Sequence, residues 1–211
     1  MSRDSGDSDV ISCNVGNGGG DDSNASQPNT SRMQTQSHRL LTMRPSSVGA
    51  NKTAPAVLNT PHAEDSSLYY KRKLSVFNFT VHQQAKPHRG VCFVWPEYEG
   101  NRGGCEIASC IYNYLSKLPS TVTHVTAYSD NCCGQNKNQY VAAMFVKFLR
   151  DSSHVDTIEH TFLEHGHTQM EVDHMHALIE KANKGVSVFA YPIWLTLIRM
   201  ARPKTPLKSS K

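Results

Sequence analysis

Two stretches of this chain carry side chains that could do chemistry. In Thr126-Ala-Tyr-Ser-Asp-Asn-Cys-Cys-Gly-Gln-Asn136 an apolar run ends on Asp130 and a helix-like segment follows. In His165-Gly-His-Thr-Gln-Met-Glu-Val-Asp-His-Met-His176 acidic residues and histidines interleave. An aspartate at the carboxyl end of a buried strand, joined by another on a later helix, suits Mg²⁺ or Mn²⁺ and phosphoryl transfer on nucleic acid. Such hard cations take one or two carboxylates and leave room for water and substrate phosphate. Counted along a helix from Gln169, Asp173, His176 and Glu180 fall at i, i+3 and i+7 and share one face, opposite Val172, Met175, Ile179 and Ala182. Asp130 and Asp173 are therefore the candidate catalytic pair. Asp130, Asp173, His176 and Glu180 are the candidate metal ligands, with His165 or His167 able to add from the preceding loop.

Each of these residues also has a plainer reading. Asp130-Asn131 could cap the following helix or close an Asx turn, as Asp and Asn commonly do. Six of the eleven histidines lie between His154 and His176, and His165, His167, His174 and His176 admit a zinc site. Against zinc, no H-x-x-x-H pair with an adjacent glutamate and no paired cysteine spacing is present, and His174 and His176 point to different sides of a helix. Cys132-Cys133 at a helix start could be a lowered-pKa thiol pair, but adjacent cysteines just after a buried strand are more often packing residues. Glu97, Glu99 and Glu106, with Arg102, read as a solvated Gly-rich loop. Lys71-Arg72-Lys73 and Lys204, Lys208 and Lys211 could touch phosphates, contacts that add affinity without sequence choice.

The elements that must position these groups follow from periodicity. Tyr70 to Val81 alternates apolar and polar residues and reads as a strand, Gln83 to Arg89 with Pro87 as a turn, and Gly90 to Trp95 as an antiparallel partner strand. A helix is expected from Cys105 to Lys117, stopped by Pro119, then a strand from Thr121 to Tyr128 and a helix from Lys137 to Arg150. Thr157 to Leu163 reads as the last strand and Gln169 to Asn183 as a helix. A short helix opens at Tyr191-Pro192 and runs to Ala201, since proline suits a first helical turn. This order predicts an α/β fold with a mixed sheet, whose ligand sites lie beyond the carboxyl ends of parallel strands. Asp130 sits at such an end.

Composition sets the outer limits. All seventeen Phe, Trp and Tyr residues lie between Tyr69 and Trp194, so the core is expected downstream. The first fifty residues hold ten Ser, six Gly and four Asn, too polar to offset ordering entropy, which makes 1–52 a disordered leader. The leader lacks the apolar run of a secretory signal, and Val186 to Ile198 is too short to span a bilayer. Six cysteines without scaffold spacing fit reduced thiols. The expectation is an intracellular protein that is neither secreted nor membrane-bound, with the nucleus as a compartment suited to DNA chemistry. The net charge of +4 permits a nucleic-acid partner. Residues 203–211 form a basic tail.

Four motifs in order add a resemblance. They are Tyr69-Tyr-Lys-Arg-Lys-Leu-Ser-Val-Phe-Asn-Phe79, Trp95-Pro-Glu-Tyr-Glu-Gly-Asn-Arg-Gly-Gly-Cys-Glu-Ile-Ala-Ser109, Tyr128-Ser-Asp-Asn-Cys-Cys-Gly-Gln-Asn-Lys-Asn138 and Gly166-His-Thr-Gln-Met-Glu-Val-Asp173. Together they resemble an uncharacterised domain of transposon-derived proteins in animal genomes. The resemblance implies a ribonuclease-H-like fold of the DDE/D transposase and integrase kind, in which three acidic residues hold two metals for DNA strand cleavage and transfer. Asp130 matches the second acidic position and Asp173 the third, in preference to Glu171. The first position falls just before Val57-Leu-Asn-Thr-Pro61, where this sequence has Thr53. A two-metal clamp without that ligand is incomplete unless Asp65 or Glu64 replaces it. The expected domain is thus 53–202, truncated at its start and without an upstream DNA-binding part. A non-catalytic remnant that binds nucleic acid or protein is the alternative, and a zinc module comes third.

Overall fold

A computed structural model of the chain describes residues 9–14, 38–45, 57–63, 65–68, 70–84, 89–163 and 171–201. The elements in chain order are β1 (Asp9–Asn14), β2 (His38–Pro45), β3 (Leu58–Thr60), β4 (Leu74–Gln83), β5 (Arg89–Pro96), α1 (Gly104–Leu115), β6 (His124–Asp130), α2 (Gln139–Asp151), β7 (Thr157–Leu163), α3 (Glu171–Asn183) and α4 (Tyr191–Met200). Every element expected downstream of residue 70 is present, with ends shifted by a few residues. Helix α1 forms because Ile107, Ala108, Cys110, Ile111, Tyr114 and Leu115 make one buried face. Helix α2 begins at Asn138, whose side-chain oxygen accepts from the backbone N–H of Tyr140 and Val141 at 3.0 and 3.1 Å. Helix α4 starts at Tyr191 with Pro192 in its first turn, where a missing N–H costs nothing.

The sheet runs β1-β5-β4-β2-β6-β7, with β3 also paired to β4. Along β1, β5, β4 and β2 each strand runs antiparallel to its neighbour, whereas β2, β6 and β7 are parallel. The result is a mixed α/β fold with helices on both faces of a mixed sheet. On one face Leu41, Met43, Phe79, Val81, Phe93, Val125 and Ala127 pack under α1 and α2. On the other, Val76, Cys92 and Val94 meet Met175 and Ile179 of α3 and Trp194, Leu195, Leu197 and Ile198 of α4. Each large side chain so buried contributes about 1.5–3 kcal/mol relative to exposure. Trp194 Nε1 also donates to Thr60 Oγ1 at 3.0 Å and ties α4 to β3.

The strand that joins the hairpin to the parallel half is β2, drawn from a stretch that composition assigns to the leader. Leu41 and Met43 are 1% exposed and Thr42 2%, so the core starts upstream of the expected boundary at 53. A run as short as Leu40 to Met43 is faint against a Ser- and Gly-rich background. Hydrogen-bonding neighbours on both sides and a buried face make it a strand. Strand β1 also falls within 1–52. The remainder of that stretch, Thr53 and the tail beyond residue 201 lie outside the described residues. No helix among the described residues is long and apolar enough to cross a membrane.

Candidate functional site

Asp130 ends β6, and alternation puts it on the sheet face of Thr126 and Tyr128, opposite Val125, Ala127 and Ser129. The chain then turns tightly, because the Cys132 carbonyl accepts from the backbone N–H groups of Gln135, Asn136 and Lys137 at 3.1, 2.9 and 3.0 Å. That turn buries Asn136 to 1% exposure and aims its Nδ2 at Asp130 Oδ1, to which it donates. Asp130 therefore does not cap α2. That role belongs to Asn138, whose Nδ2 also donates to the Gln135 carbonyl at 3.0 Å.

Arg102 acts on the same corner from the loop just before α1. Burial lowers its pKa, and the neighbouring Cys132 and Asp130 oppose that shift; a guanidinium stays charged throughout. Gly104 lets the start of α1 pack closely on the start of α2, since a Cβ there would meet the Asn138 side chain at 2.6–2.8 Å. Behind the corner, His160 Nε2 lies 2.9 Å from Ser129 Oγ, and its ring packs edge-on against Phe145. Burial pushes the His160 pKa down to about 4, so the ring is neutral at physiological pH.

The residues opposite Asp130 are the informative ones. Register pairs Thr42 with Tyr128 and Met43 with Ser129, which sets the next position, Arg44, beside Asp130. Arg44 pairs with Thr80 across β4. The central strand offers no carboxylate at this place. Two residues before Arg44, Thr42 is buried, and among the described residues its Oγ1 has no hydrogen-bond partner.

Helix α3 lies over the same face. His176 Nε2 is 3.0 Å from Thr80 Oγ1, and Gln84 Nε2 donates to Glu171 Oε2 at 3.1 Å. Asp173 is half-buried one turn before His176, and Glu180 is exposed one turn after it. His174 is exposed, while Glu64, His165 and His167 lie outside the described residues. Asp65 is exposed and accepts from the Ser67 N–H at 2.9 Å, a local turn that lowers its pKa. Among the described residues no three His, Cys, Asp or Glu side chains are gathered as metal ligands. Among the described residues the set at hand does not fit a two-metal centre: one Asp130 oxygen accepts from an amide, the Arg102 guanidinium acts on Asp130 electrostatically, and β2 carries no acidic residue.

Arg102 and Asn136 are neighbours of Asp130 that the sequence does not point to: Arg102 reads as part of a solvated loop, and Asn136 has no role of its own there. The spacing of Asn131, Asn136 and Asn138 after the strand was the available signal for a turn held by side-chain amides.

Residues 106–209 match a domain of unknown function (DUF7869), a stretch that runs from α1 through α4. No curated protein and no solved structure matches the chain. What the chain is similar to is thus a family without an assigned activity, and Asp130 and Asn136 lie inside the matched stretch, with Arg102 just before it.

Proposed function

We propose that this chain is a ribonuclease-H-like domain of transposase descent that binds nucleic acid but does not assemble the metal centre for strand cleavage. Three features support the ribonuclease-H-like part. A first core strand, β2, lies centrally between an antiparallel hairpin and two parallel strands, helices cover both faces, and an aspartate ends the next parallel strand. The motifs around Asp130 and Asp173 support the transposase part.

The observation that carries the non-catalytic part is the engagement of Asp130 by Asn136, with Arg102 beside it. A two-metal centre needs carboxylates free to bridge cations on both sides of the transferred phosphate. Here an amide is bonded to Asp130 and a guanidinium acts on it electrostatically, and the sequence has Thr53 where the resemblance implies the first acid. The test is a strand-cleavage assay on plasmid and oligonucleotide DNA with Mg²⁺ and Mn²⁺, alongside calorimetric Mn²⁺ titration. The expected result is retention of DNA without cleavage and no Mn²⁺ uptake that Asp130→Asn weakens. Metal-dependent cleavage abolished by Asp130→Asn would overturn the reading.

A further inference from the structure

A second surface stands at the same end of the sheet as Asp130. Strand β4 runs antiparallel to β2, and β2 parallel to β6. The start of β4 and the end of β5 thus point the same way as the carboxyl end of β6. Thr80, level with Arg44 and so with Asp130, is six residues from Leu74, which sets the start of β4 about 20 Å farther out at strand rise.

At that outer edge two tyrosines and three cations lie in the open. Tyr70 is 89% exposed and Tyr98 67%, and Lys71, Arg72 and Lys73 are all exposed. The two segments are clamped together. Glu97 accepts from Arg72 Nη2 at 2.8 Å and from the Ser75 N–H at 3.1 Å, while its own N–H donates to the Ser75 carbonyl at 2.8 Å. These bonds hold the Glu97 carboxyl below its usual range, first through the Ser75 N–H. Tyr70 and Tyr98 therefore flank a fixed ion pair and not a loose tail.

Aromatic rings exposed among basic side chains suit unpaired bases, because every base has a face to stack and every nucleotide a phosphate. A closed duplex hides its base faces and offers no such contact. We infer that Tyr70 and Tyr98 form a stacking platform for single-stranded nucleic acid, with Lys71 and Lys73 on its phosphates. Glu97 neutralises Arg72, and the exposed Glu99 and Asp65 offset part of the remaining charge. Stacking supplies the larger share of affinity, and charge the smaller.

This inference rests on the nucleic-acid-binding reading above and adds strand state and contact residues. The test is fluorescence anisotropy of the full chain with a labelled oligothymidylate and with the matching blunt oligo(dA)·oligo(dT) duplex, over a salt series. The single strand should bind roughly tenfold tighter or more, in line with the worth of one stacked base. Tyr70→Ala and Tyr98→Ala should each weaken that binding by about fivefold or more, whereas Tyr70→Phe and Tyr98→Phe keep it. Lys71→Ala with Lys73→Ala should flatten the salt slope by about 1.4, at about 0.7 per phosphate. Single-strand binding that ignores both tyrosines, or a preference for duplex, overturns the platform and leaves nucleic-acid binding standing. Binding of neither probe overturns both.

Discussion

Asn136 reaches back across the turn after β6 and donates its side-chain amide to the carboxylate of Asp130. Both belong to one loop, but only the fold of residues 131–138 around the Cys132 carbonyl brings them together. This relationship makes Asp130 a structural anchor for the α2 entry. Asn136→Ala should lower stability by about 1–3 kcal/mol, because it removes a bond to a charged group and leaves the carboxylate less well paired. Chemical denaturation of the variant, of Asp130→Ala and of the double variant measures the coupling. Additive losses would remove the anchor role.

Strand β2 carries the sharpest stability prediction. Leu41→Ala should cost about 2–5 kcal/mol, the range for emptying a packed core position. The same change in a disordered leader would cost nothing. A urea midpoint unchanged by Leu41→Ala would place His38–Pro45 outside the core.

Thr42 predicts the opposite sign. Its hydroxyl is buried without a partner among the described residues, so Thr42→Val keeps the shape and sheds a desolvated polar group. The expected change lies between neutral and about 1 kcal/mol of stabilisation. Marked destabilisation would reveal a hydrogen bond at Oγ1.

His160 sets a pH dependence. Its folded pKa is about 4, against roughly 6.5 in an unfolded chain. Between those values the unfolded state binds the proton and the folded state resists it. The contribution is therefore present above pH 6.5 and is lost as pH falls toward 4. Allowing for the partial exposure of the ring, the loss should be about 1–2 kcal/mol. Melting temperatures from pH 7.5 to 4.5 should fall less steeply for His160→Phe than for the parent. Parallel curves would exclude His160 as the source.

The docking of α3 should respond to one polar contact. Thr80→Val breaks the 3.0 Å bond to His176, and the expected cost is about 1 kcal/mol. Faster hydrogen exchange confined to α3 is the matching readout. Uniform acceleration across the sheet would instead point to lost core packing.

Local pattern made most of the fold legible. The hairpin of β4 and β5, helices α1 and α2, and strand β7 are visible because their apolar residues recur at periods that only one backbone geometry satisfies. Strand β7 is read to the residue, since Ile158, His160 and Phe162 alternate between clear turn signals. Strand β2 is not legible, because its short apolar run gains strand geometry from β4 and β6, which follow it by dozens of residues. The candidate site divides the same way. Asp130 at a strand end and the common helix of Asp173, His176 and Glu180 are matters of spacing. That His176 meets Thr80, that Glu180 faces solvent, and that Arg102 comes to Asp130 depend on long-range packing.

The sequence by itself determined where Asp130 falls, at the end of a buried strand, and the α/β order around it, because short-range sterics and burial periodicity suffice for both. Only the tertiary structure decided what surrounds that carboxylate: an amide from the turn that follows it, a guanidinium from the loop before α1 and a non-acidic strand. The guanidinium and the facing strand lie far from Asp130 along the chain, the amide reaches it only through the turn, and the electrostatics of a site depend on distances in space.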